Sequence, residues 1–431
     1  MYKQRRKLLL GGAALVLGVC GDTFARPLEA KKRRVINLAN FGGVPGASAA
    51  TIISAFNQAF NQLKGLGGGT LKVSPGVYNL GSYSSSTTAI SVTDLQNVLI
   101  SAYGVQLNIT TNSTQPETRP IFFRFQNPNN VTVAGMSFFD AGVTDLNLRV
   151  GAVCFYVGAT RACSKFKTVD CVADHVSSFL QSIQSSNPYL FEGFDLHATI
   201  KNSFYGVTQH QSGRFSKCNL NCLNVRRAFI SYGARDWDIT VTTHRTGGPG
   251  SNAHVALIPV PSWPVRDCNV TINASGALNA YAALSCLYHQ GPVGSYSVAS
   301  NVKFNITINN ATSAATLGFI SLIHEPAGTI LPTTAVAWEN IQVRGVVNGP
   351  YNGRIIANPS VSSASNNSVY VASKLAALQD MSALPKYFHI NPRASGIGIS
   401  FEDLTGPRKD RRPGFREELT SLILTTVCAN L

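Results

Sequence analysis

The 431-residue chain has a formal net charge of +15, with 44% hydrophobic and only 13% charged residues. A charged fraction about half the usual quarter excludes a helical surface laced with ion pairs, so solubility falls to Asn, Ser, Thr and Gln. The basic surplus favours polyanionic partners such as acidic glycans, lipopolysaccharide or nucleic acid, and the lack of zinc-finger spacing, a helix-turn-helix pattern or an aromatic-basic stacking motif sets nucleic acid aside.

Gln4-Arg5-Arg6-Lys7, the apolar run LLLGGAALVLGV and Thr23-Phe24-Ala25 read as a twin-arginine-like export signal over residues 1–25. The expected destination is the periplasm or the outside of the cell. The run is too short to anchor in a membrane, and Val19 disfavours a lipid anchor on Cys20. Cleavage would remove four basic residues and one acidic one, leaving +12. Basic runs at 31–34 and 408–412 read as solvated tails.

A domain is expected over 35–402, opening with a helix. Ile52, Ala55, Phe56, Ala59, Phe60 and Leu63 make one apolar stripe, with Ser48 as its cap and Gly65 to Gly69 as its stop. The strand TLKV and the turn Ser74-Pro75-Gly76-Val77-Tyr78 follow. The helix is expected to lid the open end of a stack of strands.

From Asn130 one phrase recurs, with starts 20 to 37 residues apart: NVTVAGMSFFDA, FKTVDCVADHV, DLHATIKNSFYG, FSKCNLNCL, DWDITVTTHR, DCNVTINASG, NVKFNITINNA and WENIQVRGV. Between Phe215 and Val241 the connections are too short for crossover helices, so the chain must turn a corner and continue as strand. Such a coil cannot bury its own apolar side, and stacking neighbours share one core. This predicts an all-β parallel β-helix.

The order Asn40-Phe41-Gly42-Gly43, amphipathic helix, Gly67-Gly68-Gly69, Pro75-Gly76-Val77-Tyr78 resembles the start of the pectate-lyase-superfamily right-handed, single-stranded parallel β-helix, as in rhamnogalacturonase- and epimerase-like domains and some phage tailspikes. The resemblance continues as coil pattern to about residue 360. Relatives usually carry paired aspartates before the helix, where this chain has 46–51 as GASAAT. The family's hydrolase signature of Asn-x-Asp, Asp-Asp, Gly-His-Gly and Arg-x-Lys is not found. The resemblance implies a long polysaccharide lying along an outer face.

In each coil one strand follows the loop: from Ala152, Ser178, Gly206, Ala228, His254, Ala283, Gly318 and Gly353. In register these form one sheet, whose ends align Tyr156, Gln181 and Gln184, Gln209-His210-Gln211, Tyr232 with Arg235-Asp236, Tyr288-His289-Gln290, and His324-Glu325. Rings stack on sugars, amides bond hydroxyls, and arginines fork a uronate carboxylate. Tyr156, Gln181, Gln209, Gln211, Arg227, Asp236, Tyr288, Gln290, His324 and Glu325 are therefore candidate substrate contacts.

Glycoside hydrolysis needs two carboxylates about 5 to 10 Å apart. Asp236 and Glu325 stand too far apart on this face, so hydrolysis would need Asp140, Asp174 and Asp195 to converge. Asp174-His175 and Asp195-x-His197 read either as an acid/base or metal pair or as turn ladders. β-Elimination or epimerisation needs a base and a cation beside the uronate carboxylate. His210, Tyr232, Arg235 and His289 are the catalytic candidates, with Arg227 a second neutraliser. The rival is a non-catalytic glycan-binding β-helix. No metal ligand set is assigned, calcium is left open, and neither stable membrane insertion nor a nucleic-acid partner is expected. The cysteines, such as Cys154 and Cys286, read as small core hydrophobes. The tail 403–431 is basic and partly helical, with FREELTSLILTTVCANL from Phe415 covering the far end or pairing chains into a homo-oligomer.

Overall fold

The computed structural model describes residues 34–113, 115, 117–143, 149–184, 190–210, 213–244, 253–258, 264–276, 285–287 and 297–309, with further strand backbone at 320–321, 336–348, 356–357, 363–365, 367–373, 388–389 and 397–403. The export signal and the C-terminal helix lie outside these residues.

Among the described residues every strand pair is parallel, and strands within the stack bond to the strand one coil before and one coil after. A first sheet runs through Val35–Asn37, Gly69–Lys72 and the opening halves of Gln96–Thr111, Asn129–Asp140 and Cys163–Asp174. These long strands bend into a second sheet that begins with Gly76–Tyr83. The third sheet stacks Thr88–Thr93, Ile121–Gln126, Val153–Ala159, Ser178–Gln184, the closing residues of Asp195–His210 and Gly213–Tyr232, then Ala253–Ile258 and Ser285–Leu287. This is the sheet expected from the strands that follow the loops. Pairing continues to Asp403, past the Ser/Asn-rich stretch where the sequence pattern fades.

Corners are made by single left-handed residues stacked in a column. Asn97, Asn130, Asp236, Asp267 and Asn301 have φ of 53° to 56°, which short polar side chains tolerate best. Asn130 Nδ2 donates to Asn97 Oδ1 at 2.9 Å and Asn301 Nδ2 to Asp267 Oδ1 at 2.9 Å, so these corners tie one coil to the next. Where backbone crowds the corner only glycine fits. A Cβ on Gly68, at φ 126°, would lie 2.6 Å from Asn97 O.

Helix α1, Ala49–Gly65, is capped by Ser48, whose Oγ accepts from Thr51 N at 3.2 Å. Its buried residues are the predicted stripe. Phe56 meets Phe123 edge-on at 5.5 Å, and the ring contacts continue from Phe123 to Phe155, Phe166, Phe194 and Phe191 down the axis. Each buried ring contributes roughly 2 to 3 kcal/mol of apolar burial, so the lid and the stack share one core. Cys154, Cys163, Cys171, Cys218, Cys222 and Cys268 are buried free thiols in that core. Burial pushes Cys163, Cys171 and Cys268 up to about 12, which keeps them protonated and unreactive.

Candidate functional site

Register places Arg124, Tyr156, Gln181, Thr208, Ile230 and Ala256 in one row across six successive strands of the third sheet. The row begins polar. The Arg124 guanidinium lies 4.9 Å from the Tyr156 ring centre, and burial raises the Tyr156 phenol above its ordinary value while Arg124 opposes that shift. Gln181 is half-buried beside them. The row then closes, because Thr208, Ile230 and Ala256 are 6%, 5% and 4% exposed. The outward track therefore does not run the length of the sheet.

Gln209 corrects the expected ladder. It lies in register between Ser182 and Ser231, all three buried, with its Oε1 accepting from Ser231 Oγ at 3.2 Å and its Nε2 unpartnered. Period-two alternation puts it on the same inward face as Val207, so it cannot touch an outside glycan. Tyr232 is half-buried at the strand's end, beside the backbone position of His210. Arg235 and Asp236 have left the third sheet. They stand across a turn, paired with each other at 3.3 Å, and Arg235 aligns with Arg214 and Arg266. The side chains of Gln184 and His210 are not described, and Gln211, Tyr288, His289, Gln290, His324 and Glu325 lie outside the described residues.

The aspartates do not converge. Asp140 is fully buried and accepts from Thr111 N, Thr111 Oγ1, Gly142 N and Ala152 N at 2.9, 2.5, 2.9 and 2.7 Å. Asp174 accepts from Asn202 Nδ2 at 3.0 Å and bonds His175 Nδ1 at 2.7 Å, and Asn224 extends the ladder. Asp195 pairs with Lys167 and His197, six positions along the strand from the rung of Asp174. Burial pushes its carboxyl up, and hydrogen bonds from Lys167 and His197 more than reverse that. These are corner and rung ladders. Among the described residues no three His, Cys, Asp or Glu side chains gather as metal ligands.

A cluster of which the sequence reading named only Arg227 stands at the other end of the strands of the third sheet. Tyr205 opens its strand in register with Arg227, and Phe204 and Tyr205 meet with ring centres 4.5 Å apart. Arg226 lies 4.8 Å from the Phe204 ring centre and Arg227 5.9 Å from that of Tyr205, while Arg149 reaches both rings at 5.8 and 5.9 Å. Arg149 Nη1 donates to Glu117 Oε1 at 3.1 Å, and Glu117 Oε2 pairs with Arg119 Nη2. Burial, reinforced by the Arg149 cation, holds the Arg119 guanidinium below its ordinary value, with Tyr205 pulling the other way. Two anchored loops present these groups. Arg119 N donates to Ser86 Oγ at 2.8 Å, Gly151 N to Thr118 O at 3.1 Å, and Asp140 clamps the second loop through Ala152. Arg119 and Arg149 thus hold one carboxylate, while Arg149, Arg226 and Arg227 cover the rings of Phe204 and Tyr205, themselves only 4% and 5% exposed. The groups presented outward are guanidiniums, an arrangement that binds planar anions.

No family model and no curated protein matches this chain in sequence. Among solved structures it is similar to the Azotobacter vinelandii mannuronan C-5 epimerase AlgE6 A-module at 11% identity and TM-score 0.40, covering 86% of this chain and 100% of that one. An exopolygalacturonase from Thermotoga maritima shares 11% identity at TM-score 0.39, over 86% and 90%. A mutant tailspike protein of E. coli bacteriophage HK620 in complex with hexasaccharide shares 11% at 0.33, over 86% and 79%. Likeness at this level carries no argument about activity, and the architecture rests on strand register. By that register the chain is a parallel β-helix, the fold that its opening motif resembles.

Proposed function

We propose that this is an exported, polysaccharide-active protein that takes an acidic, uronate-containing glycan at this end of the strands of the third sheet. The observation that carries the reading is the convergence of Arg119, Arg149, Arg226 and Arg227 on Phe204 and Tyr205. Guanidinium forks hold carboxylates, the buried rings hold the guanidiniums in place, and Arg124, Tyr156 and Gln181 extend the contact along the polar end of the row. Neutralising a uronate carboxylate makes the hydrogen α to it more acidic. A base removes that proton and its electron pair enters the carboxylate as an enolate. Expelling the oxygen at the β carbon then gives an unsaturated sugar, whereas returning a proton to the opposite face gives the epimer. The proton-acceptor candidates are those from the sequence, His210, Tyr232 and His289, with Arg227 and Arg235 as neutralisers. Hydrolysis finds less support, since Asp140, Asp174 and Asp195 are each committed to hydrogen bonds.

Both outcomes break the same carbon–hydrogen bond: epimerisation returns a solvent hydrogen to that carbon, whereas elimination leaves it without one in a double bond, the β oxygen leaving with a proton from solvent. Incubating the protein with pectate, alginate and glycosaminoglycans in heavy water, and following deuterium in the sugar and ultraviolet absorbance of unsaturated ends, tests the reading. Neither signal from any glycan, while acidic glycans still bind, leaves the second reading, a non-catalytic glycan-binding β-helix. That reading is favoured by the burial of Thr208, Ile230 and Ala256, which ends the open track.

A further inference from the structure

Glu117 sits where a ligand's carboxylate would sit. One oxygen accepts from Arg149 and the other pairs with Arg119, so a single carboxylate bridges guanidiniums carried by two separate loops. Arg119 is nearly out of water, with 16% of its side chain exposed and its Nε buried without a partner, whereas the Glu117 side chain is 52% exposed. Glu117 also holds φ 68°, a left-handed conformation that Asn, Asp and Gly adopt readily and glutamate does not. The fork is thus built into the fold, and its occupant is a strained, exposed residue.

We propose that the Arg119–Arg149 fork is a carboxylate-binding site and that Glu117 is a built-in surrogate ligand, displaced by the carboxylate of an acidic sugar. This rests on the acidic-glycan reading above. The exchange is like for like: one carboxylate leaves the fork for water, another enters, and no ion pair is lost. Because Arg149 is backed by the buried rings of Phe204 and Tyr205 beside Arg226 and Arg227, an entering carboxylate brings its sugar to a surface of guanidiniums. A neutral sugar has nothing with which to displace Glu117. The surrogate therefore lowers affinity for every ligand by the fraction of time it occupies the fork, and rejects uncharged glycans outright.

The test is titration of the full chain and its Glu117→Gln and Glu117→Ala variants with trigalacturonate and its carboxyl-reduced neutral counterpart. Acetate serves as a minimal carboxylate, read by the Arg119 Nε–H resonance. Both variants are expected to bind trigalacturonate about five- to tenfold tighter than the parent, as the competing Glu117 carboxylate is removed from its two ion pairs. The neutral sugar should gain nothing, and acetate should shift the Arg119 resonance at lower concentration in the variants. Equal or weaker trigalacturonate binding by both variants would overturn the proposal, making Glu117 a holder of the arginines. An acetate response that sharpens in the variants without any trigalacturonate binding would keep the fork as a carboxylate site while removing the glycan reading. An acetate response absent from all three proteins would remove the site.

Discussion

Replacing Asp140 by Asn separates a structural carboxylate from a catalytic one. Its two oxygens accept four hydrogen bonds, three from backbone N–H groups at Thr111, Gly142 and Ala152 and one from the Thr111 hydroxyl, in a site closed to solvent. Asparagine has the same outline but one acceptor oxygen, so in either orientation two of the four donors face an amide that also donates. Hydrogen bonds to a charged group contribute about 1.5 to 3 kcal/mol each, and a buried donor left unpaired costs about 1 to 3 kcal/mol. Because the four bonds share one carboxylate they do not add in full, and about 3 to 5 kcal/mol of destabilisation is expected. Urea unfolding followed by fluorescence of the buried Trp237 measures the total, and amide exchange at Thr111 and Ala152 locates it, since a stack of coils can open locally. The loop carrying Arg149 should loosen, weakening acidic-glycan binding in parallel. A shift under about 1 kcal/mol would refute the clamp, and lost turnover with unchanged stability would return Asp140 to the hydrolytic role.

Phe60→Ala in the lid helix should cost about 3 to 5 kcal/mol by urea unfolding, because its ring packs on Phe123 and Phe125; a loss under 1 kcal/mol would mean the helix is not part of the core. Gln209→Leu should leave stability within about 1 kcal/mol and acidic-glycan affinity unchanged, since its Nε2 is buried without a partner; weaker binding at full stability would restore it as a contact. Burial pushes His254 down to about 3, so the folded chain keeps it neutral while the unfolded chain takes up a proton below about pH 6.5. Stability should therefore fall by about 1.4 kcal/mol for each pH unit that the pH is lowered from about 6.5 towards about 3, and His254→Gln should flatten that slope; an unchanged slope would contradict it.

Much of the architecture is legible because it depends on short-range pattern. The stripe from Ile52 to Leu63 and its Ser48 cap form as written, and the strand starts at Ser178, Gly206 and Ala228 align in one sheet. Coil lengths vary, yet the Asn and Asp corners keep register by bonding across 33 or 34 residues. The site was harder to read. Gln209 belongs to the inward face by its spacing from Val207, a signal that residue type alone obscures. Arg119 and Arg149 lie in loops whose approach to Phe204 and Tyr205 is fixed by tertiary anchors such as Ser86 and Asp140, which no local pattern encodes. Arg227 was legible as a neutraliser, and a further clue was the pair Phe204-Tyr205 one coil before Arg226-Arg227, since the short coil between them places Tyr205 beside Arg227.

Calorimetric titration with an acidic oligosaccharide, at low and at high salt, of the parent chain and of an Arg226→Ala/Arg227→Ala variant tests the central claim most directly. The account predicts binding that weakens with salt, is absent for the neutral counterpart, and falls at least tenfold in a variant that stays folded, since the lost contacts are largely electrostatic. Acidic and neutral sugars binding alike, or a folded variant with unaltered affinity, would contradict it.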